Sequence, residues 1–260
     1  MLPAQLRRFT DARVALGRAG TALPTRALLD LAEAHAAARD AVWSALDPAP
    51  FAAPVVHSRA RDRREYLLRP DLGRQARAED LAALPRTGGV VVVVADGLCA
   101  AGVQAHGPAL LHAFGGAWPV VVALQARVAI GDAISHAMGA EAVVVLIGER
   151  PGLSAQDSVG LYLTWAPRPG RTDAERNCIS NIRPGGMTAA DAAAKLRWLL
   201  RGARALGATG VALKDDMPAG GHLASDRPAR GVNPPPSEPA SDRPARGVNP
   251  PPSQLEGTPP

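Results

Sequence analysis

Aromatic residues are scarce in this 260-residue chain, at 3%, so Ala, Val and Leu must fill the core that a 47% hydrophobic composition allows. Lysine occurs only at Lys195 and Lys214, and arginine carries nearly all the positive charge behind the formal +5. No dense Lys/Arg run with interleaved aromatics occurs, which argues against a nucleic-acid partner. The two cysteines, Cys99 and Cys178, make no C-x-x-C and join no His cluster at zinc spacing. No apolar stretch approaches the ~20 residues of a membrane span. The opening residues, Met1 to Arg8, lack the apolar core of a signal peptide. A cytoplasmic chain with reduced thiols, off the membrane, is the expectation.

Familiar catalytic signatures are missing too. No G-x-G-x-x-G follows the first apolar strand, so a dinucleotide fingerprint is absent. Neither a phosphate-binding G-x-x-x-x-G-K-[ST] nor a G-x-S-x-G elbow occurs. Cys178 has no histidine near it in sequence, and a structural or ligand-contacting thiol is the plainer role than a nucleophile.

What the chain does have is apolar strands that end in polar turns. Ala142 to Ile147 is a run rich in β-branched residues, and it breaks on Gly148-Glu149-Arg150-Pro151-Gly152. Val90 to Val94 runs into Ala95-Asp96-Gly97-Leu98, and Pro119 to Leu124 leads to Arg127-Val128-Ala129-Ile130-Gly131-Asp132. Leu161 to Trp165 reads as a fourth strand, and Gly210 to Lys214 as a short closing one. Helical stretches separate them: about Gly102 to Phe114, one capped by Asp132 and reaching Met138, and one from Thr188 to Leu206. Arg176 to Ile182 reads as a polar segment in an apolar setting. Continuous apolar strands alternating with helices imply a sheet covered on both faces.

The expected fold class is therefore α/β, with an N-terminal helical region and a doubly wound, mostly parallel, Rossmann-like sheet. Residues 1–86 form the helical region, with a long helix from Arg26 to Leu46 and a charge-laced stretch from His57 to Gly73 suited to docking another chain. Residues 87–217 form the α/β domain. Residues 218–260 form a disordered tail, in which Ala224 to Ser237 recurs unchanged as Ala240 to Ser253 and is too proline-rich to pack. In a parallel sheet the polar turns after the first three strands must meet at one edge, where α/β ligands bind. The Arg, Glu and backbone amides of these turns, with the Asn and Ser of Asn177-Cys178-Ile179-Ser180-Asn181, suit recognition better than proton or acyl transfer.

These motifs resemble the small subunit of ethanolamine ammonia-lyase. The resemblance rests on Ala12 through Gly20, Arg69-Pro70-Asp71-Leu72-Gly73, Ala95-Asp96-Gly97-Leu98, Leu146 through Leu153, and Arg176 through Ile182, and covers about residues 10 to 214. It implies adenosylcobalamin as cofactor, held between this chain and a large catalytic subunit that binds ethanolamine in a (β/α) barrel. Radical deamination to acetaldehyde and ammonia is the implied reaction, with no catalytic residue and no metal ligand in this chain. Val128, Glu149 and Cys178 are the implied cofactor contacts. Some relatives carry an N-terminal extension linked to enclosure in a bacterial microcompartment; the expected localisation here is cytoplasmic, free or within one. The alternative from another class is a non-catalytic α/β module that binds a nucleotide or an anionic partner.

Overall fold

The structure, a computed structural model, describes residues 5, 6, 10, 12–116 and 118–218. The repeat-bearing tail from 219 onward lies outside the described residues, as do most of the first eleven.

Five consecutive valines make β2 (Val90–Ala95) the centre of a six-stranded sheet in the order β1-β3-β2-β4-β5-β6. β1 (Val55–His57), β3 (Val120–Leu124), β2 and β4 (Ala142–Gly148) are mutually parallel. β5 (Val159–Trp165) turns back antiparallel on β4, and β6 (Arg176–Ile182) turns back on β5. The fold is thus the expected α/β sheet, parallel through four strands. Alternation within β2 and β4 feeds two cores. Val90, Val92, Val94, Val144 and Leu146 pack against α4 (Ala100–Ala113) and α6 (Ala189–Leu206). Val91, Val93, Val143, Val145 and Ile147 pack against α5 (Ile130–Ala137). Both faces of the central strands are covered, which is why their sequences are apolar throughout rather than alternating.

Five elements depart from the sequence reading, one of them β6, which is a strand where only a polar segment is expected. The long helix, α1 (Thr25–Val42), stops four residues before Leu46. There the Ser44 hydroxyl donates to the Ala41 carbonyl (2.7 Å) and accepts from the Ala101 N–H (3.1 Å), and the Asp47 N–H bonds Gln104 Oε1 (2.9 Å), so the chain leaves the helix axis to dock on α4. The N-terminal stretch also supplies β1, which three residues cannot announce by pattern. Asp132 is no cap, because α5 begins at Ile130 and carries Asp132 inside its first turn. Gly210 to Lys214 makes no strand. It forms a turn of 3-10 helix (Gly210–Ala212) held by the Asn177 side chain, which accepts from the Gly210 N–H and donates to the Leu213 carbonyl, both at 2.9 Å.

Asp132 instead forms a buried ion pair. Arg176, at the start of β6, reaches across β5 and meets both carboxylate oxygens, Nη1 to Oδ1 at 2.8 Å and Nη2 to Oδ2 at 2.7 Å. Its other N–H groups serve Thr164 Oγ1 (2.8 Å), the Arg171 carbonyl (3.1 Å) and Asp173 Oδ1 (3.4 Å). Burial pushes the Asp132 carboxyl up, against the pull of Arg176; burial opposes the Arg176 charge, and its bonds to Asp132 raise it on balance. The pair is ionised, since a guanidinium keeps its proton and two donors facing two oxygens leave no place for an acidic hydrogen. The pair ties α5 to β6.

Candidate functional site: a cleft at the carboxyl edge of the sheet

From β2 the chain crosses over one face, through α4, to β3 on one side, and then over the other face, through α5, to β4 on the opposite side. The winding therefore reverses at β2, which places a crevice at this edge of the sheet. The expected convergence of the turns after β2, β3 and β4 is found: a cleft of about 450 Å³ is lined by Gly97, Leu98, Arg127, Val128, Ile147 through Arg150, and the two tyrosines Tyr66 and Tyr162.

The cleft floor is a backbone contact. Gly97 has φ +58°, and a Cβ there would stand 2.3 Å from the Gly148 carbonyl oxygen and 2.5 Å from Ile147 Cγ1. A Cβ on Gly148 would stand 2.0 Å from the Cys99 carbonyl oxygen. Only glycine at both positions lets the Leu98 N–H reach the Gly148 carbonyl at 3.0 Å. Beside this clasp, the Asp96 carboxylate gathers the loops. One oxygen accepts from the Gly97 and Ala126 N–H groups (2.9 and 2.8 Å), and the other from the Gln125 N–H (2.8 Å) and Arg63 Nη1 (3.5 Å). Burial raises its pKa against these donors; with each oxygen accepting twice, the anion is the form the loops are built around.

The wall toward β1 comes from α2 (Arg63–Leu68), which Asp62 caps by accepting the Glu65 N–H. Tyr66 is fully buried and donates its hydroxyl to the Ala126 carbonyl at 3.1 Å. Burial raises its pKa, so it stays a phenol. The guanidinium carbons of Arg63 and Arg127 lie over its ring, 4.7 and 4.3 Å from the centroid.

Of the three residues singled out in sequence, Val128 and Glu149 both line this cleft. Val128 packs against the α5-side core, and Glu149 turns its carboxylate to the Asn181 N–H at the end of β6, 3.2 Å from Oε2. Cys178 stands opposite Tyr162 in the β5–β6 register and is exposed. Although the residue as a whole is open to solvent, partial burial of the sulfur raises the thiol pKa, and the Glu149 charge raises it further, which disfavours a nucleophilic thiolate. Cys178 thus borders the cleft through Tyr162, on a sheet face where α5 gives β6 no apolar cover and Ser180 is also exposed.

Sequence reasoning did not pick out Tyr66, Tyr162 or Arg127 as site residues. For the tyrosines the signal was scarcity, since the chain has two and both line the cleft; Arg127 lay in a polar turn already noted, beside Val128. Among the described residues no group of three or more His, Cys, Asp or Glu is placed to hold a metal ion, and no helix is long and apolar enough to cross a membrane.

Fold and cleft define an α/β protein of the doubly wound class, with a crevice beyond the carboxyl ends of the parallel strands. The family model described as ethanolamine ammonia-lyase light chain (EutC) matches residues 3–214. The chain is 52% identical over 236 residues to the ethanolamine ammonia-lyase small subunit of Bradyrhizobium diazoefficiens, covering 81% of this chain and 89% of the relative. It is 50% identical to that of Rhodopseudomonas palustris over 232 residues (81% and 89%), and 49% identical to that of Xanthomonas campestris pv. campestris over 254 residues (88% and 90%). The chain belongs to the ethanolamine ammonia-lyase small-subunit family, and thus to a carbon–nitrogen lyase built from more than one kind of subunit.

Proposed function

We propose that this chain places adenosylcobalamin against a large catalytic subunit, and that the assembled enzyme deaminates ethanolamine to acetaldehyde and ammonia. The observation that carries the reading is that Val128 and Glu149 line one cleft together with Tyr162, whose partner in the β5–β6 register is Cys178. The residues fit such a cofactor. The lining mixes apolar contacts from Leu98, Val128 and Ile147 with the polar side chains of Arg127, Glu149 and Arg150, as a ligand with an apolar ring and a polar periphery requires. Bound adenosylcobalamin supplies radical chemistry through homolysis of its cobalt–carbon bond.

The chain's own part is placement. Val128 supports the ligand by contact, Glu149 accepts a hydrogen bond from it while tethered to Asn181, and Cys178 with Tyr162 meets it at the open face. The Gly97–Gly148 clasp and Asp96 hold these loops in position before binding, which spares the ordering cost at the moment of association. The charge-laced stretch from 57 to 73 and the open β5–β6 face are the surfaces for the large subunit. Co-expression with a candidate large subunit tests the reading. The complex should bind adenosylcobalamin with a corrin absorbance spectrum and release acetaldehyde from ethanolamine, and a complex that assembles without binding the corrin would overturn it.

A further inference from the structure

Two arginines that line the cleft, Arg127 and Arg150, make no side-chain hydrogen bond or ion pair among the described residues, and of the two only Arg127 is held in place by packing. The Arg127 backbone N–H donates to the Gly73 carbonyl at 2.8 Å. Its stem packs on Gly73, where a Cβ would stand 3.0 Å from Arg127 Cγ and 2.9 Å from the Tyr66 ring. Its guanidinium carbon lies 4.3 Å from the Tyr66 centroid. The side chain is therefore pinned from two directions. Yet Nε is buried without a hydrogen-bond partner, and among the described residues the guanidinium makes no ion pair.

The acids around it are committed elsewhere. Asp96 is taken up by three backbone N–H groups and Arg63, and Glu149 by the Asn181 N–H. Arg63, the other guanidinium over Tyr66, donates to the Val42 carbonyl (2.7 Å), the Gly97 carbonyl (2.8 Å) and Asp96. Arg63 keeps one buried nitrogen, Nη2, without a partner, but its other nitrogens are spent, whereas the Arg127 guanidinium makes no hydrogen bond among the described residues. A buried N–H without an acceptor is costly, and the rest of this half-buried guanidinium is free to bind an anion from the ligand through the charge-assisted bonds that a planar fork makes well.

We infer that Arg127 is the anion-recognising residue of the cleft and that it takes a phosphodiester. The inference rests on the cofactor reading above. The periphery of cobalamin carries neutral amides, and the phosphodiester of its nucleotide loop is the negative group among them, so a spare guanidinium selects that loop rather than the corrin edge.

The test uses the complex with the large subunit and two probes: cyanocobalamin, and dicyanocobinamide, which lacks the nucleotide loop. Arg127→Gln should weaken cyanocobalamin, followed by absorbance, by about 10- to 100-fold, the range for hydrogen bonds to charged groups. Cobinamide affinity should change by less than about threefold. The phosphorus-31 resonance of bound cyanocobalamin should differ from that of free ligand in the parent complex and move back toward it in the variant. Should Arg127→Gln fail to assemble, Arg127→Lys keeps stem and charge but not the planar fork, and should give a smaller loss confined to cyanocobalamin. Equal weakening of both probes, or of neither, overturns the assignment. A third result also overturns it: looser subunit association without ligand and an unmoved phosphorus signal, which would give Arg127 to a carboxylate of the large subunit. If the parent complex binds neither probe, the cofactor reading itself fails and takes this inference with it; parent binding with an indifferent variant sinks the inference alone.

Discussion

Arg176→Met should be among the most damaging single changes outside the cleft. The guanidinium is 1% exposed and its partner Asp132 2% exposed, 2.7–2.8 Å apart through two bonds. Removing it leaves a carboxylate against the α5-side core with no donor, and takes a donor from Thr164 and from the Arg171 carbonyl. Breaking one side of a buried pair costs about 3–5 kcal/mol. For a chain of this size that lowers the unfolding midpoint by about 6–20 °C at ~2–4 °C per kcal/mol. Asp132 will tend to take up a proton once the guanidinium is gone, so the variant should recover part of the loss as pH falls from 7 toward 5. The double variant Asp132→Leu, Arg176→Met removes both charges and should lie within about 1–2 kcal/mol of the parent, since replacing a whole buried pair by apolar groups is often near neutral. Urea unfolding of the full chain across this cycle gives the coupling directly. A loss under about 1 kcal/mol for Arg176→Met, or a double variant as weak as the two singles summed, would refute the account.

Gly97→Ala should cost about 2–5 kcal/mol, combining a left-handed φ with a Cβ driven into the Gly148 backbone; unfolding with near-parent stability would show that the clasp yields. Glu149→Ala should weaken corrin binding by the assembled enzyme several-fold to about tenfold, and an unchanged titration with intact assembly would remove Glu149 from the site. Glu175 pairs with Arg171 and accepts from the Thr172 N–H and hydroxyl, which lowers its pKa from 4.5 to about 2. A depressed carboxyl stabilises fully above its unfolded value and loses that contribution as pH falls from about 4.5 through about 2. The stability gap between parent and Glu175→Gln should therefore close over that window, and a gap constant with pH would exclude the linkage.

The central sheet was legible because strands buried on both faces advertise themselves as unbroken apolar runs. Val90 to Ala95 and Ala142 to Gly148 are such runs, and once they are parallel their polar ends must share an edge. β6 was not legible as a strand. Arg176, Asn177, Cys178, Ser180 and Asn181 carry polar side chains, because one face of the strand is uncovered and its first residue meets Asp132. No local pattern joins Asp132 to Arg176, 44 positions apart. Asp132 has the residue type of a helix cap and lies near a helix start, and only the tertiary pair tells the two roles apart. Gly210 to Lys214 has the composition of a strand, but its backbone bonds go to the Asn177 side chain instead of a neighbouring strand. The site was half visible. Val128 and Glu149 sit in turns whose convergence follows from topology, whereas Tyr66 enters from a separate short helix.

The Gly97–Gly148 clasp also orders events in time. β4 and β5 are joined by a direct turn-back, and their pairing closes a short loop. The clasp joins positions with all of α4, β3 and α5 between them, so its loop entropy falls due only when β3 and β4 have both docked on β2. The crevice is accordingly a late product of folding, absent from any partly folded chain that has not yet brought those strands together. A ligand of this edge meets the finished sheet, and its concentration during refolding should alter the yield of bound protein without altering the rate at which the sheet forms.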